Sequence, residues 1–449
     1  MSPDTTLTAL PQVAPSNNPP VVNATVPHDS SPTPTPQGKF AELQNAIVAG
    51  NVPQMVLMMI SYALELRSSD VHVEPERNTI RVRYRVDGVL RQIIEYPPNM
   101  HPAIVSRIKI MSNLKIDEQR IPQDGRSSIT TKEGKEMDLR ISTFPTVNGE
   151  KVVMRLQDKS RNIPTLEELG VEGTALEFLK NGLDAPNGII LTSGPTGSGK
   201  TTTLYACLNI LNTSEVNILT IEDPVEIQLN GLNQSQIHPD IKYTFESGLR
   251  TALRQDPDII MVGEIRDKET IDVAIESSLT GHLVLSTIHT NSAVETLTRI
   301  ANMGVPDYLM TSTINVIIAQ RLVRKVCVTC KQPKQIEPFM MERVKKSLAI
   351  LYPREAERFK NLIAQPVFYE GKGCPACGKS GYYGRLGLYE VLSMNNAMRK
   401  AILEKKSSID LEHEAQGQGM VSLEQAGILK ALQGLTTLEE VYNVARPED

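Results

Sequence analysis

Gly194-Pro195-Thr196-Gly197-Ser198-Gly199-Lys200-Thr201 is the stretch on which the reading of this chain turns. It has the complete form of a phosphate-binding P-loop: two glycines bracketing four residues, then lysine and a hydroxyl side chain. The glycines let backbone N–H groups turn inward around a phosphate, and the N-terminus of the following helix adds partial positive charge. Lys200 is placed to reach the β- and γ-phosphates, and the Thr201 hydroxyl to ligate magnesium, with Thr202 next on the same turn. The motif needs a strand before it and a helix after it. Residues 189–191 are Ile-Ile-Leu and residues 202–211 are compatible with a helix, so the setting is met.

Beyond the loop, short apolar runs at 218–221, 259–262 and 283–286 alternate with helical segments. That rhythm predicts a parallel sheet covered by helices, with ligands at the C-terminal ends of its strands. Two acidic segments occupy such ends, TIEDPVE at 220–226 and DPDIIMVGE at 256–264. A carboxylate there can hold magnesium through water or orient an attacking water, which makes Glu226 and Glu264 the candidates. His282 and His289 flank the run at 283–286, and either imidazole could sense a γ-phosphate.

Upstream, residues 79–86 alternate strictly, with Ile80, Val82, Tyr84 and Val86 on one face and Arg81, Arg83 and Arg85 on the other. Asp87-Gly88 follows as a hairpin turn, and Val89 starts the return strand. Ile104, Ile108 and Met111 fall on one helical face. Residues 40–66 carry helical signals as well, and this first α+β domain extends to about residue 156. Residues 159–164 read as a linker and 166–179 as a helix. The C-terminal part reads as helical, with Ser422 and Gln425, and Thr437 and Glu440, spaced as capping boxes. Residues 1–38 are dominated by Pro, Thr, Ser and Asn and read as a disordered tail.

A chain of 449 residues calls for two or three domains. The net charge of −5 and pI near 5.9 argue against a dedicated nucleic-acid binder. The best apolar run, residues 55–60, soon meets Glu65 and Arg67 and is too short to span a bilayer. No charged segment followed by an apolar stretch marks a signal peptide, so a cytosolic location with reduced cysteines is expected. Of the five cysteines, Cys327, Cys330, Cys374 and Cys377 form two C-x-x-C pairs. Four thiolates suit tetrahedral zinc, although the 43-residue gap exceeds that of a compact zinc ribbon. Cys207, among helix-forming residues after the P-loop, reads as core.

Taken together, GPTGSGKT, TIEDPVE, DPDIIMVGEIRD and TGHLVLSTIHTN resemble the type II secretion and type IV pilus superfamily of hexameric ATPases. SSDVHVEP, RVRYRVDG and IPQDGR extend the resemblance into the first domain, from about residue 41 to the C-terminus. It implies a RecA-like P-loop domain preceded by a smaller, PAS-like α+β domain, in a homohexameric ring with ATP and magnesium bound at the domain interfaces. Residues 194–202 would bind nucleotide, and Glu264 would be the Walker B acid, with Glu226 in the acidic box. Which of the two polarises water is left open, with Glu264 favoured. His282 and His289 fill the histidine-box positions. Arg140 and Arg155 match two first-domain arginines directed at the γ-phosphate, a task suited to a guanidinium fork. The cysteine pairs resemble the zinc-binding tetracysteine insert of secretion and pilus-extension ATPases, which retraction ATPases lack.

The implied domains are a tail (1–38), the α+β domain (39–157), a linker and helix (158–184), the ATPase core (185–326), the tetracysteine insert (327–378) and a helical C-terminal region (379–449). The implied function is to power pilin or pseudopilin assembly through an inner-membrane platform protein, the ATPase lying at the inner face of the membrane. The alternatives are a retraction ATPase and a RecA-like nucleic-acid translocase. Absence of Trp and only 4% aromatic residues disfavour the translocase, and no direct nucleic-acid partner is expected. Relatives often carry a further N-terminal docking domain. Here only the Pro-rich tail precedes Phe40, which leaves recruitment, and any cytoplasmic docking protein, open. Lys200→Ala should abolish ATP turnover in a phosphate-release assay. Glu264→Gln should slow it strongly while leaving ATP affinity largely intact, and near-normal turnover in that variant would remove Glu264 from its role.

Overall fold

A computed structural model describes residues 38–130, 136–158 and 162–445. The expected tail, apart from Gly38, and the start of the linker lie outside the described residues. The chain opens with helices α1 (Lys39–Val48) and α2 (Val52–Glu65), then strands β1 (Ser68–Pro75), β2 (Ile80–Val86) and β3 (Val89–Tyr96). Helix α3 (His101–Met111) leads to β4 (Gln123–Thr130), β5 (Glu136–Thr146) and β6 (Gly149–Asp158). These strands form one antiparallel sheet in the order β3-β2-β1-β6-β5-β4. The alternation along β2 places Ile80, Val82, Tyr84 and Val86 inside and leaves the three arginines half-buried. At the following turn Asp87 and Gly88 both take positive φ, 50° and 89°, as a two-residue hairpin requires. The helices cover the apolar face, and the Tyr84 hydroxyl donates to the Met59 carbonyl at 2.7 Å.

The predicted linker helix is two helices, α4 (Leu166–Leu169) and α5 (Gly173–Leu183). Gly170 divides them by adopting φ +100°, a left-handed cap that ends α4 and that the apolar spacing alone did not disclose. The second sheet then begins with β7 (Gly188–Ser193), every residue of which is buried. Helix α6 (Lys200–Leu211), β8 (Ile218–Glu222), β9 (Asn233–Gln236), α7 (Phe245–Ala252), β10 (Ile259–Val262), α8 (Lys268–Leu279) and β11 (Leu283–Ile288) follow. Next come α9 (Ala293–Asn302), α10 (Asp307–Thr313) and β12 (Ile314–Val326). The order is β15-β12-β7-β11-β10-β8-β9, parallel throughout except for the last strand to join, β15 (Tyr382–Ser393). Apolar clusters fill both faces, one including Leu191, Val262 and Ile271, the other Ile190, Leu204 and Cys207.

Between β12 and β15 lie β13 (Lys331–Lys334), α11 (Pro338–Ala349), α12 (Pro353–Arg358), α13 (Lys360–Ala364) and β14 (Phe368–Gly371), with β13 and β14 paired. Helices α14 (Asn396–Leu403), α15 (Ser408–Gly417), α16 (Leu423–Leu432) and α17 (Leu438–Val444) end the described chain. The region read as helical does carry four helices but starts with a twelve-residue strand, β15, whose segment 386–392 is buried because it closes one side of the sheet. The Ser422–Gln425 capping box forms in full. Thr437 also caps its helix, but Glu440 is diverted to the backbone N–H and guanidinium of Arg324 at 3.0 and 2.6 Å. Among the described residues no helix is long and apolar enough to cross a membrane.

Glu390, on β15, is buried and accepts N–H bonds from Ala293 at 2.7 Å and Leu423 at 3.2 Å, the first residues of α9 and α16. One carboxyl group thereby caps two helices from different parts of the chain. Burial nevertheless dominates and lifts its pKa from 4.5 to about 7. The unfolded chain releases this proton near pH 4.5 and the folded chain near 7, so the contribution is full below the lower value. It is lost as pH rises through the upper one, by up to about 3 kcal/mol. Glu390→Gln should remove that slope: urea midpoints of wild type and variant should differ in pH dependence between about 4.5 and 7 and run parallel outside that window.

Candidate nucleotide site and tetracysteine centre

The P-loop leaves β7 and must reverse direction before α6. Gly194 turns first, at φ +142°, and a Cβ there would come within 2.6 Å of the Gln320 carbonyl oxygen on β12. Gly197 (φ 81°) and Gly199 (φ 91°) complete the turn, and Gly199 caps α6. Pro195, Thr196 and Gly197 are exposed at the apex, Ser198 and Lys200 are buried, and Thr201 and Thr202 occupy the first turn of α6. The Gln320 side chain donates to the Ser198 carbonyl at 2.8 Å and so props the loop from below.

The Lys200 ammonium donates to the carbonyls of Gly194 at 2.8 Å and Pro195 at 3.3 Å. Burial lowers its pKa; Glu264 opposes the shift, and the Arg321 charge adds to it. Glu264 stands at the C-terminal end of β10, its carboxylate paired with Arg266 and 3.3 Å from His289 Nε2. Lys200, Glu264 and His289 therefore gather at one end of the sheet. His282 does not join them. It lies before β11, at the opposite end of that strand, with Nδ1 2.8 Å from the Ser277 carbonyl.

Glu226 is held in a second cluster by the first domain. Arg140 on β5 donates to both its oxygens at 3.3 and 3.1 Å, and the Gln157 amide donates to Oε2. These contacts border a cleft of about 350 Å³ between the two domains, lined also by Arg126 and Gln236. Arg155 is paired in register with Arg140, yet its guanidinium turns to Asp70 at 3.1 Å within its own domain. Glu222, the first acid of the same segment, is buried and accepts from Tyr205, Thr220 and Gln234. Gln320 and Arg321 were missed by the sequence reading. Arg321 reaches Asn291 at 3.1 Å, and the signal was a polar pair ending the apolar run INVIIAQR.

At the junction of β12, β14 and β15 the four predicted cysteines meet, with all their sulfurs within 4.8 Å of one another. Three of the separations are 3.8, 3.8 and 3.7 Å. Zinc–thiolate bonds of about 2.3 Å in a tetrahedron have S···S edges of about 3.8 Å, so the donor set fits that metal. Backbone N–H groups of Gly373 and Gly381 donate to Cys330 and Cys377 at 3.3 Å. Burial opposes ionisation of Cys377, but N–H groups of Cys374 and Gly381 outweigh it and hold its pKa at about 6. Cys207 is buried elsewhere, with burial raising its pKa to about 12.

A P-loop on a mostly parallel sheet, with a carboxylate at the end of a strand two places away, defines a P-loop nucleoside triphosphatase. Residues 46–443 match the family described as "Type II/IV secretion system protein". The chain is 44% identical over 407 residues to the type IV pilus assembly ATPase PilB of Myxococcus xanthus, covering 91% of this chain and 70% of that protein. It is 47% identical over 396 residues to type II secretion system protein E of Xanthomonas campestris, covering 88% and 67%. The chain belongs to the type II/IV secretion system protein family and is an ATPase of it. Among solved structures the Legionella pneumophila ATPase DotB superposes with a TM-score of 0.62 at 20% identity, covering 87% of this chain and 95% of that one. The pilus retraction motor PilT with bound ADP gives 0.56 at 24% identity, covering 87% and 97%. Both are likenesses of fold.

Elemental analysis of tag-free protein should find about one zinc per chain. Cys330→Ser should lower that content and the melting temperature together, because a structural zinc site can carry on the order of 10 kcal/mol of folding free energy. Full metal content in the variant would contradict the assignment.

Proposed function

We propose that this ATPase works as a homohexameric motor in the cytoplasm, at the inner face of the cell membrane. It hydrolyses ATP to drive pilin or pseudopilin assembly through a membrane platform protein. The observation that carries the proposal is the Arg140–Glu226 pair, which joins the first domain (39–157) to the ATPase core (185–326). A motor must convert phosphate chemistry into movement between rigid parts, and here a first-domain guanidinium already sits on an acidic-box carboxylate. The match to pilus-assembly and secretion ATPases supports the extension or secretion reading, as does the tetracysteine centre.

In this scheme residues 194–202 cradle the triphosphate, and Lys200 swings from its loop carbonyls to the β- and γ-phosphates. Magnesium bound at Thr201 would neutralise phosphate charge. Glu264 orients the attacking water, with His289 beside it to sense the γ-phosphate; His282 would contribute from a different position in the assembled ring. As charge builds on the γ-phosphate, Arg140 exchanges Glu226 for it and Arg155 exchanges Asp70. That exchange alters the angle between the domains, which the platform protein would receive as work.

Arg140→Ala and Arg155→Ala should each leave ATP affinity within a few-fold and lower turnover in assembled rings by roughly 10³-fold. Lysine should not rescue either, because an ammonium lacks the planar fork. Wild-type phosphate release from both alanine variants, with ring assembly checked by light scattering, would overturn the domain-coupled mechanism.

A further inference from the structure

Tyr205 lies on α6 one helical turn beyond Thr201, and the two fall on the same face of the helix. Its ring is buried in the apolar cluster that includes Ile190 and Cys207, a task that a phenylalanine ring could perform. The hydroxyl, however, needs polar partners, and it finds two in the acidic segment. It donates to the Glu222 carboxylate at the end of β8 and accepts the Glu226 N–H at 3.3 Å. A hydroxyl has one proton to give, so the bond to Glu222 turns its lone pairs toward Glu226. Burial, then the Glu222 carboxylate, raise the Tyr205 pKa, and the phenol therefore keeps that proton.

Glu222 is buried, and a carboxylate so placed must be hydrogen-bonded. Its donors come from three elements: Tyr205 on α6, Thr220 on β8 itself and Gln234 on β9. The Gln234 amide also donates to the Ile227 carbonyl at 3.0 Å and accepts the Leu229 N–H at 2.6 Å. The chain leaving β8 is thus tied back to Glu222 twice, through Gln234 at residues 227 and 229 and through Tyr205 at residue 226. Of these ties, the one through Tyr205 reaches the P-loop helix. We infer that Tyr205 is a positioning residue for ATP turnover, one that registers the Glu226 carboxylate, and with it Arg140, to the end of α6 that carries Lys200 and Thr201. The inference rests on the Arg140–Glu226 reading of domain coupling and supplies its connection within the core. Lys200, Thr201 and the hydroxyl that places Glu226 ride on two successive turns of one helix, so a movement of α6 as nucleotide binds carries the domain contact with it.

Tyr205→Phe keeps the ring and removes both hydrogen bonds. Phosphate release from the full chain should show kcat lowered about tenfold with KM for ATP within about twofold, because the hydroxyl lies away from the phosphate loop. A wild-type kcat, or an equal effect on both constants, overturns the assignment. The double variant with Glu226→Gln separates positioning from general weakening. Once the carboxylate is gone its placement no longer matters, so Tyr205→Phe should then cost less than about twofold in kcat. The same loss in both backgrounds overturns the role. Amide hydrogen exchange reads the link without turnover: in Tyr205→Phe, protection should fall over residues 223–229 and stay at the wild-type level over α6 and β8. Loss of protection throughout α6 would mean that the hydroxyl only supports the core, and the proposal would fail. The two readings can fail separately. Glu226→Gln with wild-type turnover removes the coupling reading and Tyr205 along with it, whereas a slowed Glu226→Gln beside a normal Tyr205→Phe removes Tyr205 alone.

Discussion

The reversal of the chain between β7 and α6 is the constraint to which the rest of the core conforms. A buried strand must end and its continuation must turn back over its own edge within a few residues, leaving backbone N–H groups pointing at a common centre. Only glycine tolerates the positive φ this demands at Gly194, Gly197 and Gly199 without strain. The loop is also wedged against β12, where even a methyl group at Gly194 would collide with the Gln320 carbonyl. Once the loop is fixed, Glu264 lies to one side of β7, and β12, on the other side, becomes the loop's support. Gln320 serves that support directly through the Ser198 carbonyl.

The first domain meets this core with its charged face. In register across the sheet run Arg85, Asp70, Arg155, Arg140 and Arg126, four guanidinium groups and one carboxylate. Like charges directly opposite on neighbouring strands are unfavourable, so such a row persists only where counter-charges compensate. Asp70, with its side chain 7% exposed, serves Arg155 and Arg85, and Glu226 from the core serves Arg140. Each pairing is weakened by solvent at the partly exposed arginines, which suits the exchange for phosphate proposed above. An arginine row fully neutralised by buried partners would be rigid and useless for that purpose.

Local patterns carried most of this into the sequence. The alternation at 80–86, the Asp87-Gly88 turn, the P-loop and the paired cysteines each depend on residues close together in the chain, and each appears as expected. What could not be read depends on distant partners. Strand β15 is a strand because β12 offers it a long edge, and its sequence YYGRLGLYEVLS has no alternation once both faces are covered. Glu440 has capping-box spacing, but Arg324, 116 residues away, competes for its carboxylate and wins. His282 and His289 look equivalent as flanking residues. A six-residue strand between them puts one beside Glu264 and the other at the far end of the sheet. The roles of Gln320 and Arg321 emerge only when β12 is laid next to β7.

The tetracysteine centre follows from the same long strand. Beyond Ala319, β12 outruns β7 and keeps only β15 as a ladder partner, so its last residues lack a second neighbour. The insert that follows adds little core of its own: Val344 and Phe368 are buried mainly by packing against α16 and α17. A two-stranded extension of that kind is marginal in water without a further staple. The cysteines supply one where the ladder ends: Val326 donates to the Leu435 carbonyl, Cys327 donates to that of Gly381, and a metal held by four sulfurs would lock both strands and β14 together. Such a staple would hold in place Leu322 and Arg385, which sit on that unsupported stretch beside the P-loop apex. A metal held there would act by fixing backbone rather than by touching substrate.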